Sequence, residues 1–294
     1  MKFVNGLMLL VLCILCHVGW SESINSQNAS WVFYGNVINE NNDPYHYFFQ
    51  MNRVHNKFYA IATLIDAQKN KILLYEESKT TIDDPDHMLW QVGHAFLQFN
   101  VINNSWIFGV KNPDSKGFNF KVDMLGQPDG KANKQQNLLN GVELLIGQTG
   151  RLNGHVNISG KGHDEFVTAS HAWFRQLWLS KEQKSTHPLT AVLCDFHNGS
   201  GFYSVTLKGY DVVRGSIAGW RNLAGVALPI SQFVLITEKK DGMWNIHVPY
   251  PKLNLALKDI LNNNLNDCNK KYCVMLGQAQ GSTPGFCAIT RTTV

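Results

Sequence analysis

The sequence lacks most of the features that would assign it quickly. Beyond its N-terminal stretch no run reaches the ~18 apolar residues that a membrane-spanning helix requires, so no membrane span is expected. There is no H-E-x-x-H, no G-x-S-x-G and no Walker-type glycine loop, which removes zinc-protease, α/β-hydrolase and P-loop readings. No pair of cysteines has the doubled C-x-x-C spacing of a zinc site. No linker rich in proline, glycine or serine divides the chain, and it contains no low-complexity run or internal repeat. Charge is also scarce: 22 acidic and 26 basic side chains in 294 residues are too even a balance to demand a nucleic-acid partner.

What is present begins with an export signal. Lys2 precedes an apolar core, Gly6 to Cys16, and Gly19-Trp20-Ser21 places small residues at −3 and −1 of a cut before Glu22. Residues 1–21 therefore read as a signal peptide, and the remaining chain as a soluble protein that is secreted or sits in a lysosomal lumen. An uncleaved anchor is the competing reading, and the polar residues that follow at once argue against it. Cleavage removes Cys13 and Cys16 and leaves Cys194, Cys268, Cys273 and Cys287, an even set that reads as two disulfides with three pairings open. Sequons at Asn28, Asn103, Asn157 and Asn198 agree with export and mark expected glycosylation sites on surface loops.

An apolar fraction of 44% with eight tryptophans is ample for a core. Short apolar or alternating runs predict strands at Trp31–Tyr34, His94–Phe99, Trp106–Val110, Leu189–Cys194, Phe202–Leu207, Gln232–Thr237, Trp244–Val248 and Tyr272–Leu276. Two stretches read as helices. Asp164–Lys184 has acids in its first turn, lysines in its last and Phe166, Val167, Trp173, Phe174, Leu177 and Trp178 on an apolar side. Lys252–Leu265 places Leu253, Ala256, Leu257, Ile260 and Leu261 at amphipathic helical spacing. The mixture predicts an α/β or mixed α+β architecture. His163-Asp164-Glu165 with His171 suggests a metal site on paper, but on a helix the two histidines stand roughly 80° and two turns apart, so an acidic helix start is the better reading. No metal or cofactor is expected, and His197 and His247 read as ordinary surface or core histidines.

His94 stands out by its surroundings. Gly93-His94-Ala95-Phe96-Leu97-Gln98-Phe99, then Trp106-Ile107-Phe108 and Pro113, resembles the first H-x-K block of the deoxyribonuclease II family. Trp31-Val32-Phe33-Tyr34 resembles its opening strand, and Ala62-Thr63-Leu64 with Ile72-Leu73-Leu74-Tyr75 the segment before that block. Val156-Asn157-Ile158-Ser159, Phe166-Val167-Thr168-Ala169-Ser170, and Cys273 with Gly285-Phe286-Cys287 resemble later blocks in the right order. The resemblance implies a single domain over 22–294, a pseudo-symmetric phospholipase D-like sandwich whose halves, roughly 22–160 and 161–294, have central sheets flanked by helices. It also implies metal-independent phosphodiester cleavage, in which one H-x-K histidine attacks, the other protonates the leaving oxygen, and the lysines neutralise the phosphoryl oxygens.

The chain departs from that pattern at both motifs. His94 is retained, but Phe96 stands at the first lysine. Anchored on Trp244, the second motif falls on Thr237-Glu238-Lys239-Lys240-Asp241-Gly242-Met243, placing Asp241 at the histidine and Met243 at the lysine. Lys239 and Lys240 are candidate phosphate-binding substitutes and Asp241 a candidate general acid. The resemblance thus implies a secreted protein that keeps the nuclease fold with little or no DNA hydrolysis, with DNA or a protein as the partners to consider. The alternatives are a weakly active acid endonuclease using His94, and a secreted binding module without catalysis. A Cys273–Cys287 bridge and a central cleft lined by His94 would support the resemblance.

Overall fold

The computed structural model describes residues 26–124, 135–139, 141–149, 151–159, 164–170, 172–181, 187–208, 213–222, 226–228, 230, 234–238, 243–250, 252–261, 272–281 and 283–293. Among these residues every regular element is a β-strand, and every strand pair is antiparallel. Strands β1 (Asn28–Asn39), β2 (Pro44–Val54), β3 (Lys57–Asp66) and β4 (Lys71–Thr81) run as successive hairpins. A second meander follows: β5 (Leu89–Val92), β6 (Ala95–Asn100), β7 (Ser105–Lys111) and β8 (Gly117–Asp123). The first sheet is completed by β9 (Gln135–Leu139), β10 (Val142–Thr149), β11 (Arg151–Asn157), β12 (Glu165–Ala169) and β13 (Ala172–Leu179). Its main path is β4-β3-β2-β1-β12-β11-β8-β7-β6-β5, and it curls into a near-barrel.

The second sheet is a half-barrel of two runs. One is β14 (Pro188–Phe196), β15 (Gly201–Lys208), β16 (Val213–Arg221) and β17 (Ala227–Leu228). The other is β18 (Leu235–Glu238), β19 (Met243–Val248), β20 (Leu253–Asp259), β21 (Tyr272–Gly281) and β22 (Gly285–Thr293). The runs join where β14 pairs with β22.

Alternation along the strands explains three cores. Trp31, Phe33 and Val37 of β1 turn inward and meet Tyr47, Phe49, Trp90, Trp106, Phe108 and Phe174 inside the first sheet, where Phe33 stacks on Phe108 at 4.2 Å. Val32 and Tyr34, on the other face, pack with Phe48, Ile61 and Trp173 against Leu189, Ala191, Leu193, Leu276 and Ala288 of the second sheet. The intervening residues of β14, Val192, Cys194 and Phe196, line the inside of that sheet with Trp244, Leu255 and Met275. A strand sandwiched between two cores is apolar on both faces, so its alternation vanishes from the sequence. Close approach at the seam also selects glycine: a Cβ on Gly201 would lie 2.6 Å from the Trp173 ring.

This architecture overturns the expected α/β sandwich and with it the deoxyribonuclease II resemblance. No helix occurs among the described residues, so none of them flanks the sheets as that family's fold requires. The described part of the stretch Asp164–Lys184 holds β12 and β13 instead. Ala172, Phe174 and Trp178 face one core and Trp173 and Leu177 the other, and two-sided burial imitated a helical apolar stripe. Lys252–Leu265 holds β20, whose buried Leu253, Leu255 and Leu257 repeat every second residue. The eight stretches expected as strands do contain or overlap strands, Gln232–Thr237 only at its C-terminal end. No helix among the described residues is long and apolar enough to cross a membrane.

Candidate functional site

The feature that positions the site is a fork on β1. Ala29 to Tyr34 pair with β13, whereas Ile38 and Asn39 pair with β12. The two partners part company beside Gly35, Asn36 and Val37, and there a cleft of about 970 Å³ opens between the sheets. Its walls draw on Asn36 and Ile38 of β1, Pro44 and His46 of β2, Arg151 of β11, the end of β12, and Asp195 to His197 where β14 runs into its turn.

Asn36 and His46 are direct cross-strand partners, so they present their side chains to the same face. A chain of hydrogen bonds runs from them across the seam. Asn36 Nδ2 donates to Asp195 Oδ2 at 2.5 Å, and His46 Nδ1 meets Asn36 Oδ1. The carboxylate fixes which end of the Asn36 amide faces it. The amide oxygen can only accept, so it fixes the proton on His46 Nδ1. Nε2 is then the lone-pair atom of a neutral imidazole, and it is buried with no hydrogen-bond partner among the described residues. Burial, with the His197 ring as a lesser cause, pushes the His46 pKa down to about 3, so the ring stays neutral in ordinary solution.

Phe286 of the second sheet forms the ceiling over this ring, stacked on His46 at 4.1 Å. The Tyr34 hydroxyl donates to the Phe286 carbonyl, and burial followed by the nearby Asp195 raises that phenol well above its usual range. The floor of the cleft thus carries buried His46 and Asp195, while Arg151 and His197 stand exposed towards its mouth. Ile38, Pro44, Ala67, Ala169 and Phe196 supply its apolar lining.

The residues singled out from sequence are not gathered here. His94 sits in the β5–β6 turn, exposed, where its backbone N–H donates to Glu76 Oε1 at 3.3 Å and its Nδ1 lies 3.5 Å from Glu76 Oε2. Phe96 borders a separate hollow of about 510 Å³ with Lys111, Phe118 and His155. Lys239, Lys240 and Asp241 lie outside the described residues, as do Cys268, His163 and His171. Cys194 is bridged to Cys287, which excludes the Cys273–Cys287 bridge, and Cys273 is itself disulfide-bonded. No group of three or more metal-ligating side chains occurs among the described residues.

No family model and no curated protein matches the sequence. Solved structures do match in fold. A putative AttH from Nitrosomonas europaea superposes with a TM-score of 0.57 at 12% identity, over 91% of this chain and 93% of that one. Kievitone hydratase from Nectria haematococca superposes with a TM-score of 0.60 at 12% identity, over 92% and 91%. The likeness is one of fold. Neither match ties this chain to H-x-K chemistry, and the nuclease assignment falls with the helices on which it depended.

The cleft residues were legible only as exceptions. Asn36, His46 and Asp195 each stand among apolar neighbours within a strand, in WVFYGNVI, YHYFF and AVLCDF respectively. Polar residues inside strands buried on both faces are the signal that marks them, and His197, which reads as an ordinary histidine, lines the cleft.

Proposed function

We propose that this chain binds a small, largely apolar organic molecule in the inter-sheet cleft, holding one hydrogen-bond donor of that molecule on His46 Nε2. The observation that carries the reading is the Asn36-anchored His46–Asp195 arrangement opening on a cavity of about 970 Å³. Burying His46 and Asp195 in a hydrophobic seam costs stability, and a ligand that reaches the unpartnered His46 Nε2 accounts for their presence. A carboxylate and two imidazoles in one cleft are also the group types used in proton transfer. Acid–base chemistry on the bound molecule is therefore the second reading, and the solved fold relative that is a hydratase lends it analogy only.

The surroundings proposed for this activity are the secretory route. In support, residues 1–21 have the signal-peptide pattern, and one disulfide joins buried residues of the second sheet. Asn28 opens β1, Asn103 sits in a turn, Asn157 closes β11 and Asn198 lies exposed in the β14–β15 turn, all places where a glycan leaves the sheets undisturbed. Residues 22–294 act as one unit in this reading, because the cleft needs both sheets.

N-phenyl-2-naphthylamine, an apolar molecule with a single N–H donor, tests the cleft by its fluorescence. Wild-type protein is expected to bind it saturably, and Ala67→Trp, which fills the cleft from the β3–β4 turn, is expected to abolish binding without lowering Tm. Binding that ignores Ala67→Trp, or no binding at all, would sink the reading.

A further inference from the structure

Resting on that reading, we infer that the cleft is built for an amphiphilic organic acid, its anionic group held at the mouth by Arg151 and its apolar body directed inward to His46. Arg151 is the one permanently charged cation among the residues lining the cleft. It is exposed and has no ion-pair partner among the described residues. The acid placed directly across from it on β8, Asp123, lies within 3.5 Å of Lys121 Nζ instead. The guanidinium is left with its planar fork of donors free, the geometry that recognises a carboxylate or sulfonate in two parallel hydrogen bonds.

The interior supplies the second half of the argument. Asp195 is buried at the floor and held by Asn36, so negative charge already occupies the deep end. A ligand anion is repelled from there and drawn to the mouth, where Arg151 and His197 stand. The lining also includes Ile38, Pro44, Ala169 and Phe196, an apolar surface that accepts hydrocarbon. The neutral His46 ring offers only an acceptor to whatever arrives beside it. One orientation satisfies all three zones: acid outward, apolar body in the middle, hydroxyl or amine N–H inward.

Two fluorescent molecules that differ by a single group test this. 2-Anilinonaphthalene-6-sulfonate is N-phenyl-2-naphthylamine with a sulfonate added at the opposite end of the naphthalene from its N–H. Wild-type protein is expected to bind the sulfonate about 10-fold more tightly than the neutral compound, an advantage that shrinks as NaCl rises. Arg151→Gln should erase the difference by bringing the sulfonate's affinity down to that of the neutral compound, and Arg151→Lys should restore part of it. Equal affinities in wild type, or an advantage that survives Arg151→Gln, would overturn the inference and leave the cleft reading standing. Sulfonate binding that persists in Ala67→Trp would place it elsewhere on the surface and overturn the inference too. Failure of both compounds to bind removes the cleft reading itself. Arg151 is exposed, so its variants should keep the wild-type Tm, and circular dichroism checks that they do.

Discussion

The Cys194–Cys287 bridge offers the sharpest quantitative test of the fold. The two cysteines are directly opposed on β14 and β22, the pair that joins the two runs of the second sheet. They are 93 residues apart in sequence, and closing a loop of that length in the unfolded chain is worth about 4.7 kcal/mol at 25 °C on the chain-entropy model. Replacing both with alanine, rather than serine, avoids burying two unpaired hydroxyls at positions that have no exposed surface. Equilibrium unfolding in guanidinium chloride, followed by tryptophan fluorescence, is expected to show a loss of about 3–5 kcal/mol for the double variant. The m value should rise, because the uncrosslinked denatured chain exposes more surface. A loss below about 1 kcal/mol, with m unchanged, would refute the reasoning. It would mean that the β14–β22 junction holds the two runs together in the denatured ensemble without the bridge.

Two further outcomes follow from buried titratable groups. His46 has a folded pKa of about 3 against an unfolded value near 6.5, so the unfolded chain takes up the proton first and stability is lost as pH falls below 6.5. Between pH 7 and pH 5 that amounts to about 2 kcal/mol, which His46→Gln should remove from the pH dependence of unfolding; an identical slope in the variant would count against the burial argument. Arg175 is wholly buried, donates to Thr290 Oγ1 at 3.1 Å and Ser30 Oγ at 3.4 Å, and burial lowers its pKa to about 10. Its charged form therefore costs roughly 3 kcal/mol at every pH below 10, a cost relieved only above that value. Arg175→Met should accordingly unfold at the same or higher denaturant concentration and Arg175→Ala at a lower one, and a loss above about 2 kcal/mol in the methionine variant would contradict this.

The strands were readable from sequence where an apolar run was too short for a helix, and harder to read where apolar residues spread over a longer stretch. Trp106–Val110 and Phe202–Leu207 are apolar runs too short for helices, and both are strands. In β13, by contrast, Ala172-Trp173-Phe174 and Leu177-Trp178 serve two cores at once, and contiguous apolar residues fit a helical stripe as well as a doubly buried strand. Leu253, Leu255 and Leu257 did carry the period-2 signal, but Ala256, Ile260 and Leu261 filled the gaps and drew the helical template over them. The family resemblance failed for the same reason. Short aromatic-rich apolar blocks in a plausible order are what any chain of buried antiparallel strands supplies, so their order tested little. The candidate site was illegible as a unit. Asn36 and His46 become neighbours only through the β1–β2 register, and Asp195 reaches them only when the second sheet docks.

The seam between the sheets holds two sets of buried polar residues, and their difference separates structure from function. Around Arg175 the polar groups face Ser30 and Thr290 in the middle of the packed interface. Nothing in that arrangement opens outward, so its cost falls on stability alone. At the fork on β1 the polar groups are instead ordered into a chain that ends on the unpartnered His46 Nε2, and His46 lines the cleft. A protein that merely tolerated stray polar residues would scatter them, with no common orientation. Here the Asp195 carboxylate sets the Asn36 amide, the amide sets the His46 tautomer, and the tautomer decides what the cleft offers a ligand. Each step spends buried polarity on direction, which is how a binding or catalytic site differs from a packing defect.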